Sequence, residues 1–366
     1  MIGSDLDKGG IGSVIMTLYR SLIKCGVQCD LTYYQGAKPN DEILKEIANN
    51  GSRVYEIKSV RQAGFNYIFQ IYKLCKKEKY DVIHIHTSLL IWMAALGAKI
   101  AGIKTRVGHA HGAKFLNYPE IVLRFMEPIG RKLNKFFCTD FVTCAQESSI
   151  YTFGCESIFV PNYISKSEIL CINESEIKNV YQNLVGNNNY DYIFGYTGCL
   201  DGVKNALFLL DVVKELKRSG SNPLLLLIGN TNQKELFKIR IKEREIEENV
   251  KLLGFRKDCR TIIQICDYYI SASKTEGMSM SMVEAQMAGI PCFVSSLIPS
   301  NSDLTINLFH KIKGFEANCW ANEIIKLINK DYAKISREEA IRLLEKTPFC
   351  EEKVIKKLIH IYEHAE

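Results

Sequence analysis

The feature that most constrains the fold is a repeated alternation of short β-rich runs with longer amphipathic segments. In the first 160 residues the β-rich runs are separated by helical segments such as Gly12–Lys24 and Tyr67–Lys77. Strands that are separated by helices pair in parallel, because each helix crosses back over the sheet. The pattern therefore predicts an α/β protein with doubly wound parallel sheets. The predicted strands of this half are Val27–Tyr33, Ser52–Tyr55, Val82–His86, Lys104–Gly108, Phe141–Thr143 and Ser157–Val160.

The alternation stops near Val160-Pro161-Asn162 and resumes at Tyr192, which predicts a second domain of the same class. A chain of 366 residues is long enough for two domains of ordinary size. We expect the domains to span residues 1–162 and 163–348, with a final helix, Glu351–His364, in residues 349–366. The predicted elements of the second half are Tyr192–Thr197, Ala206–Arg218, Leu224–Ile228, Gln233–Arg244, Val250–Leu253, Thr261–Cys266, Tyr268–Ser271 and Cys292–Ser295.

A glycine-rich turn, Gly9-Gly10-Ile11-Gly12, comes almost at the start of the chain and opens a predicted helix. Glycines at such a turn let backbone amides approach an anion, although a tight strand-to-helix turn explains them equally well. In a doubly wound domain this turn follows the central first strand, yet almost no strand precedes it here. A missing central strand would leave two neighbouring strands unpaired. We therefore expect coding sequence upstream of Met1 to supply that strand.

Composition excludes several classes of protein. Residues 1–160 carry 20 Lys and Arg against 14 Asp and Glu, which accounts for the whole net charge of +6. That bias suits an anionic membrane surface or a phosphorylated acceptor, but no dense basic patch or module indicates nucleic acid. No apolar run approaches the roughly 20 residues that span a bilayer. The 13 cysteines are scattered without a Cys-x2-Cys pair, which favours free thiols in a reducing cytoplasm.

Four histidines end two successive predicted strands. His84 and His86 close the first, and His109 and His111 close the second. Alternate residues of a strand share a face, so adjacent parallel strands would bring all four side chains to one rim. A metal site is one interpretation. Histidine-rich metal sites usually add a carboxylate or thiolate at close spacing, so we expect no metal here.

Two carboxylates separated by seven residues, Glu276 and Glu284, follow the predicted strand Tyr268–Ser271. A helical pattern containing Glu284 ends at Gly289-Ile290-Pro291, which is a typical helix stop. Glu276 should therefore lie at the carboxyl end of a strand, and Glu284 within the next helix. Ligands of open α/β sheets bind at this edge. Carboxylates there can accept hydrogen bonds from sugar hydroxyls, while loop amides can hold phosphate.

The segment from Ser273 to Pro291, Ser-x-x-Glu-Gly…Glu-Ala-x-x-Ala-Gly-x-Pro, resembles the E-x7-E segment of retaining glycosyltransferases with the GT-B fold. It is most similar to glycosyltransferase family 4, and Asp-Val-Ile-His-x-His at residues 81–86 resembles the same family. The resemblance implies two facing Rossmann-like domains with the active site in the cleft between them. It also implies that the last helix packs back on the first domain.

The resemblance also implies roles for individual residues. Glu276 would contact the donor sugar, Glu284 would hold the ribose hydroxyls, and His111 would orient the reacting sugar. Lys204 would neutralise the leaving diphosphate, and it joins Glu276 and His111 as a catalytic residue. The other donor-binding residues would be Asn205, Gly9, Gly10, Gly229, Met280 and Ser281, with His86 and His109 on the acceptor side.

One position departs from the family pattern. The segment 195–205 resembles the family's Gly-Arg-Leu…Lys-Asn loop, but Cys199 stands where the arginine is expected. A thiol cannot provide the bidentate guanidinium fork that binds a diphosphate. Either Lys274 or Arg256 compensates, or diphosphate binding is weaker.

The family implies a cytoplasmic enzyme that moves a sugar from a nucleotide-sugar, a UDP-sugar, to a hydroxyl of a glycan or lipid-linked saccharide. The transfer would retain the anomeric configuration, need no metal or other cofactor, and serve polysaccharide biosynthesis. The stretch Arg124–Lys135, with interleaved apolar residues, would contact a membrane surface or form an ordinary amphipathic helix. Two alternatives remain: a non-catalytic, degenerate transferase that partners an active one, which Cys199 favours, and a sugar-nucleotide epimerase on the same fold.

Overall fold

The computed structural model describes residues 1–3, 5–7, 9–112 and 120–363. The chain forms two compact units, each built on parallel β-sheet with helices. The first unit contains Met1–Tyr163 and Pro348–Glu366, and the second contains Ile164–Thr347. The α/β class that the alternating pattern predicts is confirmed.

Strands and helices alternate along much of the chain, with consecutive helices at α3–α4, α8–α9 and α14–α16. None of the helices within the described residues is long and apolar enough to cross a membrane. The strands are β1 (Leu31–Tyr34), β2 (Val54–Ile57), β3 (Val82–Ile85), β4 (Thr105–Ala110), β5 (Asp140–Thr143), β6 (Ile158–Phe159), β7 (Tyr192–Thr197), β8 (Pro223–Ile228), β9 (Val250–Gly254), β10 (Tyr268–Ser271), β11 (Cys292–Ser295) and β12 (Phe309–Ile312). The helices are α1 (Gly9–Lys24), α2 (Asp41–Asn49), α3 (Val60–Ala63), α4 (Asn66–Glu78), α5 (Ile91–Ala101), α6 (Glu120–Phe137), α7 (Gln146–Phe153), α8 (Lys166–Leu170), α9 (Glu174–Leu184), α10 (Ala206–Arg218), α11 (Lys234–Glu243), α12 (Cys259–Gln264), α13 (Met280–Met287), α14 (Ala317–Ile328), α15 (Arg337–Leu344) and α16 (Glu351–Glu363).

In the first unit, residues 1–3 lie between two sets of parallel strands. One set is the pair β1-β2, and the other has the order β3-β4-β5-β6. Ile2 forms a parallel bridge with Ile85, and its amide donates to the carbonyl of His84 at 2.8 Å. On the other side, the amide of Thr32 donates to the carbonyl of Met1 at 3.2 Å. The short segment thus connects the beginning of β1 to the carboxyl end of β3 by hydrogen bonds.

The predicted strand Val27–Tyr33 is wrong for its first four residues. Strand β1 begins at Leu31, where its pairing with Val54 on β2 begins. Residues 27–30 instead line a cavity of about 380 Å³ that lies beside Met1 and reaches His84 and Tyr362. A β-rich sequence forms a strand only where a neighbouring strand completes its hydrogen bonds.

Helix packing in the first unit depends on one close approach and on the last helix. A Cβ atom at Gly97 of α5 would lie 2.5 Å from the carbonyl oxygen of Ile68 on α4, so glycine lets these two helices touch. Helix α16 packs against α1, where the Ser21 hydroxyl donates to the Glu351 carboxylate at 2.6 Å. The predicted last residue of this helix, His364, lies outside the described residues.

In the second unit, the parallel strands have the order β12-β11-β10-β7-β8-β9. The chain starts at β7, adds β8 and β9 on one side, and then returns to add β10 on the other. The carboxyl ends of β7 and β10 therefore form the topological switch point, where ligands of such sheets bind. Strand β12, Phe309–Ile312, was not predicted, because its four residues at the sheet edge include His310 and Lys311.

Two loops cross tightly beside this switch point. The amide of Gly198, after β7, donates to the carbonyl of Ile228 at 2.9 Å, and Leu200 donates to Asn230 at 3.1 Å. A Cβ atom at Gly229 would lie only 1.7 Å from the carbonyl oxygen of Gly198, and its φ is +148°. Only glycine fits this crossing, which holds the loop after β7 against the end of β8.

We expect Gly229→Ala to lower the free energy of unfolding by roughly 2–5 kcal/mol, because it combines a backbone clash with an unfavourable φ. The matched control is Gly220→Ala. Gly220 also has a positive φ, +88°, but a Cβ atom there meets nothing within 4 Å, so its cost should be about 1 kcal/mol. Urea unfolding of both variants measures the difference, and equal losses would contradict the close crossing.

Candidate active site

An ion pair joins the loops that follow β7 and β10. The Lys204 Nζ lies 2.6 Å from each carboxylate oxygen of Glu276. The side chains are 28% and 9% exposed, respectively, so the pair is partly shielded from water. A backbone hydrogen bond of 2.8 Å from the Lys274 amide to the Val203 carbonyl holds the same loops together. The predicted catalytic residues Lys204 and Glu276 are therefore in direct contact.

The residue after Lys204 turns the chain into a helix. Asn205 has a φ of +54° and precedes α10, whose first residue is Ala206. Its amide donates to the carbonyl of Gly202 at 3.2 Å, which closes a single 3₁₀ turn over Gly202–Lys204. Asparagine tolerates this left-handed conformation better than most residues. The turn fixes the backbone of Lys204 at the carboxyl edge of β7.

Glu284 belongs to a second, three-membered ionic network that the sequence did not reveal. The guanidinium of Arg260, on α12, donates to Glu284 at 2.9 Å and also pairs with Glu168 on α8. These side chains are 15–29% exposed. The arginine comes 24 residues before Glu284 and 92 after Glu168, so no local motif links them.

Burial and ion pairing shift the pKa values of this network in opposite directions. Burial raises the pKa of the Glu284 carboxyl, and the Arg260 charge lowers it in part. Burial alone would lower the pKa of Arg260, but Glu284 and Glu168 outweigh it and raise that pKa above its usual value. The geometry shows a direct ion pair, so we take Glu284 as an ionised acceptor that the arginine holds in place.

A buried glutamine near the carboxyl end of α13 holds this helix in place, and the sequence did not reveal this role either. The Gln286 amide nitrogen donates to the Ser302 carbonyl at 2.7 Å, and its oxygen accepts from the Leu304 amide at 2.9 Å. At the other end of the helix, the Ser279 amide donates to the Ser302 hydroxyl at 3.0 Å. These contacts orient the first turn of α13, where the backbone N–H groups of Met280 and Ser281 have no carbonyl partner within the helix.

The position of the expected arginine is occupied by an exposed cysteine. The Cys199 carbonyl accepts a 2.8 Å hydrogen bond from the Tyr196 hydroxyl, which orders this loop. The two predicted substitutes differ in their surroundings, since Lys274 is exposed whereas Arg256 has a carboxylate partner. Arg256 pairs with Asp258 at 2.6 Å, and the Lys274 Nζ lies 6.0 Å from the centre of the Phe315 ring.

In the first unit, the four histidines lie together as predicted. His84 Nε2 is 3.1 Å from His109 Nδ1, and His86 Nδ1 is 2.7 Å from His111 Nε2. All four are buried, with His111 the most accessible at 8% exposure. Burial lowers the pKa of His84, His86 and His109 well below the ordinary value, and that of His111 to about 4. All four imidazoles are therefore neutral at pH 7.

The glycine-rich turn of the first unit opens α1 at Gly9. A Cβ atom at Gly10 would meet nothing within 4 Å, so its backbone faces open space. The nearby acids serve the loop itself, since Asp5 accepts from the Asp7 amide at 3.1 Å and Asp7 accepts from the Asn40 amide at 2.6 Å. An anion contact at Gly9 and Gly10 stays a prediction, as do the acceptor contacts of His86 and His109.

Two sequence models of protein families match the chain. The model described as "Glycosyltransferase Family 4" matches residues 8–149, and "Glycosyl transferases group 1" matches residues 179–343. Each match falls within one of the two units, and together they span most of the chain.

Individual proteins show the same similarity. The chain is 24% identical over 343 residues to an Escherichia coli UDP-Gal:alpha-D-GlcNAc-diphosphoundecaprenol alpha-1,3-galactosyltransferase, covering 90% of this chain and 83% of that protein. It is 26% identical to CapH, a capsular polysaccharide biosynthesis glycosyltransferase of Staphylococcus aureus, over 73% of this chain and 74% of CapH. The crystal structure of Anabaena HepE in complex with UDP-glucose superimposes with a TM-score of 0.76 at 17% identity, covering 99% and 98% of the chains.

We expect Arg260→Met to lower the free energy of unfolding by about 2–4 kcal/mol, because it removes the guanidinium that pairs with two shielded carboxylates. Adding Glu284→Gln to that variant should recover part of the loss. The control is Arg240→Met, whose exposed pair with Glu243 should contribute about 0.5 kcal/mol or less. Chemical denaturation measures all three, and similar losses at Arg260 and Arg240 would contradict a stabilising network.

Proposed function

Because this chain belongs to glycosyltransferase family 4 and has the GT-B fold, we propose that it transfers a sugar from a nucleotide-sugar to a saccharide hydroxyl. The observation that carries the proposal is the contact of Lys204 with Glu276 at the switch point of the second sheet. The acceptor is a glycan or lipid-linked saccharide in polysaccharide biosynthesis, as the names of the E. coli and S. aureus relatives suggest.

We propose that the donor is a UDP-sugar. The E. coli relative is named for UDP-Gal, and the Anabaena structure holds UDP-glucose, which supports this nucleotide. In this chain, the ionised Glu284 carboxylate can accept hydrogen bonds from both ribose hydroxyls. Arg260 holds that carboxylate in place from behind. Asn205 follows β7 and Gly229 follows β8, at the same edge of the sheet, where their backbone can contact the nucleotide.

We propose that donor binding opens the Lys204–Glu276 pair. The diphosphate offers Lys204 a second, more highly charged partner, so its Nζ can turn towards the phosphate oxygens. The Glu276 carboxylate is then available to accept hydrogen bonds from the donor sugar. This exchange couples recognition of the sugar to recognition of the diphosphate. Glu276 becomes available to the sugar only when Lys204 has turned to the diphosphate.

In the transfer step, the bond from the anomeric carbon to the diphosphate oxygen breaks, and the acceptor oxygen bonds to the same face of the sugar. Because the acceptor bonds to the face that the diphosphate leaves, the anomeric configuration is retained. The acceptor proton leaves with the diphosphate, so the charges balance. Lys204 and the first-turn amides of α13, at Met280 and Ser281, stabilise the charge that develops on the leaving group. No metal ion takes part in this step.

In the proposed reaction, the first unit binds the acceptor. His111 is the most accessible of the buried histidines and is neutral, so it can donate or accept a hydrogen bond to the reacting sugar. His86 contacts it at 2.7 Å and would orient its ring. The backbone of Gly9 and Gly10 would add amides to the diphosphate.

The donor site is tested by thermal shift and calorimetric titration with UDP and a panel of UDP-sugars. Lys204→Met should weaken UDP binding by about 10–100-fold, because a charge-assisted contact is lost. Glu276→Gln should bind UDP nearly as well as the parent chain but lose transfer by about 100-fold or more. The matched control is Lys326→Met, an exposed lysine that pairs with Glu323.

A second experiment changes Cys199, which stands at the position of the expected arginine. If Cys199 weakens the diphosphate site, Cys199→Arg should tighten UDP binding by about tenfold. A chain that binds UDP-sugars but neither transfers nor rearranges them, even as Cys199→Arg, would favour the degenerate partner subunit. Rearrangement of the donor sugar without an acceptor, followed by NMR, would favour the epimerase. Absence of any response to UDP or UDP-sugars would contradict the proposal.

We further propose that the first unit contacts an anionic membrane surface through α6. Ile129 and Phe136 are 60% and 68% exposed and lie seven residues apart, so they share a helix face with Lys132 between them. The Lys99 Nζ lies 4.9 Å from the centre of the Phe136 ring. Apolar and basic groups side by side are typical of interfacial helices. The side chains of residues 120–125, which include Leu123 and Phe125, lie outside the described part of the structure.

Sedimentation with lipid vesicles tests this contact. The double variant Ile129→Ser/Phe136→Ser should bind vesicles that contain anionic lipid at least about tenfold more weakly than the parent chain. Phe255→Ser is the matched control, since Phe255 is equally exposed at 68% but lies in the second unit. Unchanged binding by the double variant, or no binding by the parent chain, would favour an ordinary amphipathic helix.

A further inference from the structure

The histidine cluster of the first unit contains more hydrogen-bonding groups than it satisfies. Its four imidazoles, from the ends of β3 and β4, present eight ring nitrogens. Three contacts use five of them: the two histidine–histidine contacts and a 2.6 Å contact from His84 Nδ1 to the Tyr362 hydroxyl. His86 Nε2, His109 Nε2 and His111 Nδ1 are buried and have no partner among the described residues.

Changing the tautomers does not satisfy these nitrogens. Each neutral imidazole has one N–H and one lone pair, so a contact between two rings uses one donor and one acceptor. Whichever way the His86–His111 contact is oriented, one of these rings keeps a free N–H and the other a free lone pair. His109 keeps one free group as well. A buried polar group without a partner costs about 1–3 kcal/mol, so a cluster of three needs an explanation.

We propose that His84, His86 and His109 bind a zinc ion. One potential ligand atom from each of these residues lies within 4.8 Å of the others. Two nitrogens bound to one tetrahedral zinc ion at 2.0–2.1 Å are about 3.4 Å apart, close to the observed 3.1 Å between His84 Nε2 and His109 Nδ1. The third ring has to approach by up to about 1.4 Å.

The groups around the rings suit this coordination. A histidine that binds a metal usually donates its other N–H to a fixed acceptor. Tyr362 lies at that position for His84, and His111 Nε2 lies there for His86, whose unpartnered Nε2 is then the ligand. Zinc thus accounts for one of the three unpartnered nitrogens, while His109 Nε2 and His111 Nδ1 keep no partner among the described residues. Three histidines with solvent in the fourth position form a known type of zinc site.

The surroundings of the proposed zinc site are a cavity and the elements that the ion would join. His84 and Tyr362 line the cavity beside Met1, so the cavity reaches one of the three proposed ligands. Zinc would join β3 to β4 through their carboxyl ends and, through Tyr362, would hold α16 against them. This ion would strengthen the first unit. Because His86 and His109 also belong to the acceptor side of the proposed function, zinc binding is measured without nucleotide, and donor binding by the second unit is measured separately, so that failure of one proposal is distinguishable from failure of the other.

The test is a zinc titration of the chelator-treated, full-length chain without nucleotide. We expect one zinc ion per chain with a Kd below about 10 µM, and a Tm increase of roughly 5–10 °C when zinc exceeds Kd by 100-fold. Cobalt(II) substitution should give the visible spectrum of a tetrahedral site, without the intense near-ultraviolet absorption of thiolate ligands. That readout distinguishes the histidines from the 13 cysteines.

Variants locate the site. His109→Asn should weaken zinc binding by at least about 100-fold and abolish the Tm increase, while circular dichroism shows whether the variant remains folded. Tyr362→Phe keeps all the ligands but should still cost about tenfold. The matched control is His310→Asn in the second unit, which should bind zinc like the parent chain. Absence of zinc binding, a thiolate spectrum, or binding unchanged in folded His109→Asn would overturn the proposal.

Discussion

A carboxylate that is shielded from water needs a countercharge, and this requirement organises the candidate site of the second unit. Glu276 meets it with Lys204, and Glu284 meets it with Arg260. The two solutions differ in an important way. A lone lysine can turn to another anion, whereas Arg260 is also held by Glu168. Glu276 can therefore exchange its partner, whereas Glu284 keeps Arg260.

The parallel strand order brings these groups together from distant parts of the sequence. Lys204 and Glu276 are 72 residues apart, yet they meet because β7 and β10 are neighbours at the switch point. The same reasoning applies to the first unit, where β3 and β4 pair in parallel and their terminal histidines share one rim. In both units, strand adjacency determines which side chains can act together.

Sequence periodicity predicted the central elements well and the edges poorly. The bounds of β7, α10, β10 and β11 agree with the structure, since buried parallel strands are nearly continuous apolar runs. Edge strand β12 lacks such a run, and Val27–Asp30 has the composition of a strand without forming one. The motif residues of the site could be named from the sequence. Arg260 and Gln286 could not, because their partners are brought near only by the packing of α8, α12 and α13 and of the segment after β11.

The path of the chain makes the first unit depend on residues that are synthesised after the second unit. The chain leaves that unit after Tyr163, completes the second unit, and returns at Pro348. Tyr362, whose hydroxyl contacts His84, therefore emerges from the ribosome after the whole second unit. During synthesis the second unit has all its residues first, while the earlier-made unit must wait with part of its interior uncovered. A premature stop near the end of the chain would thus damage the domain that was translated first.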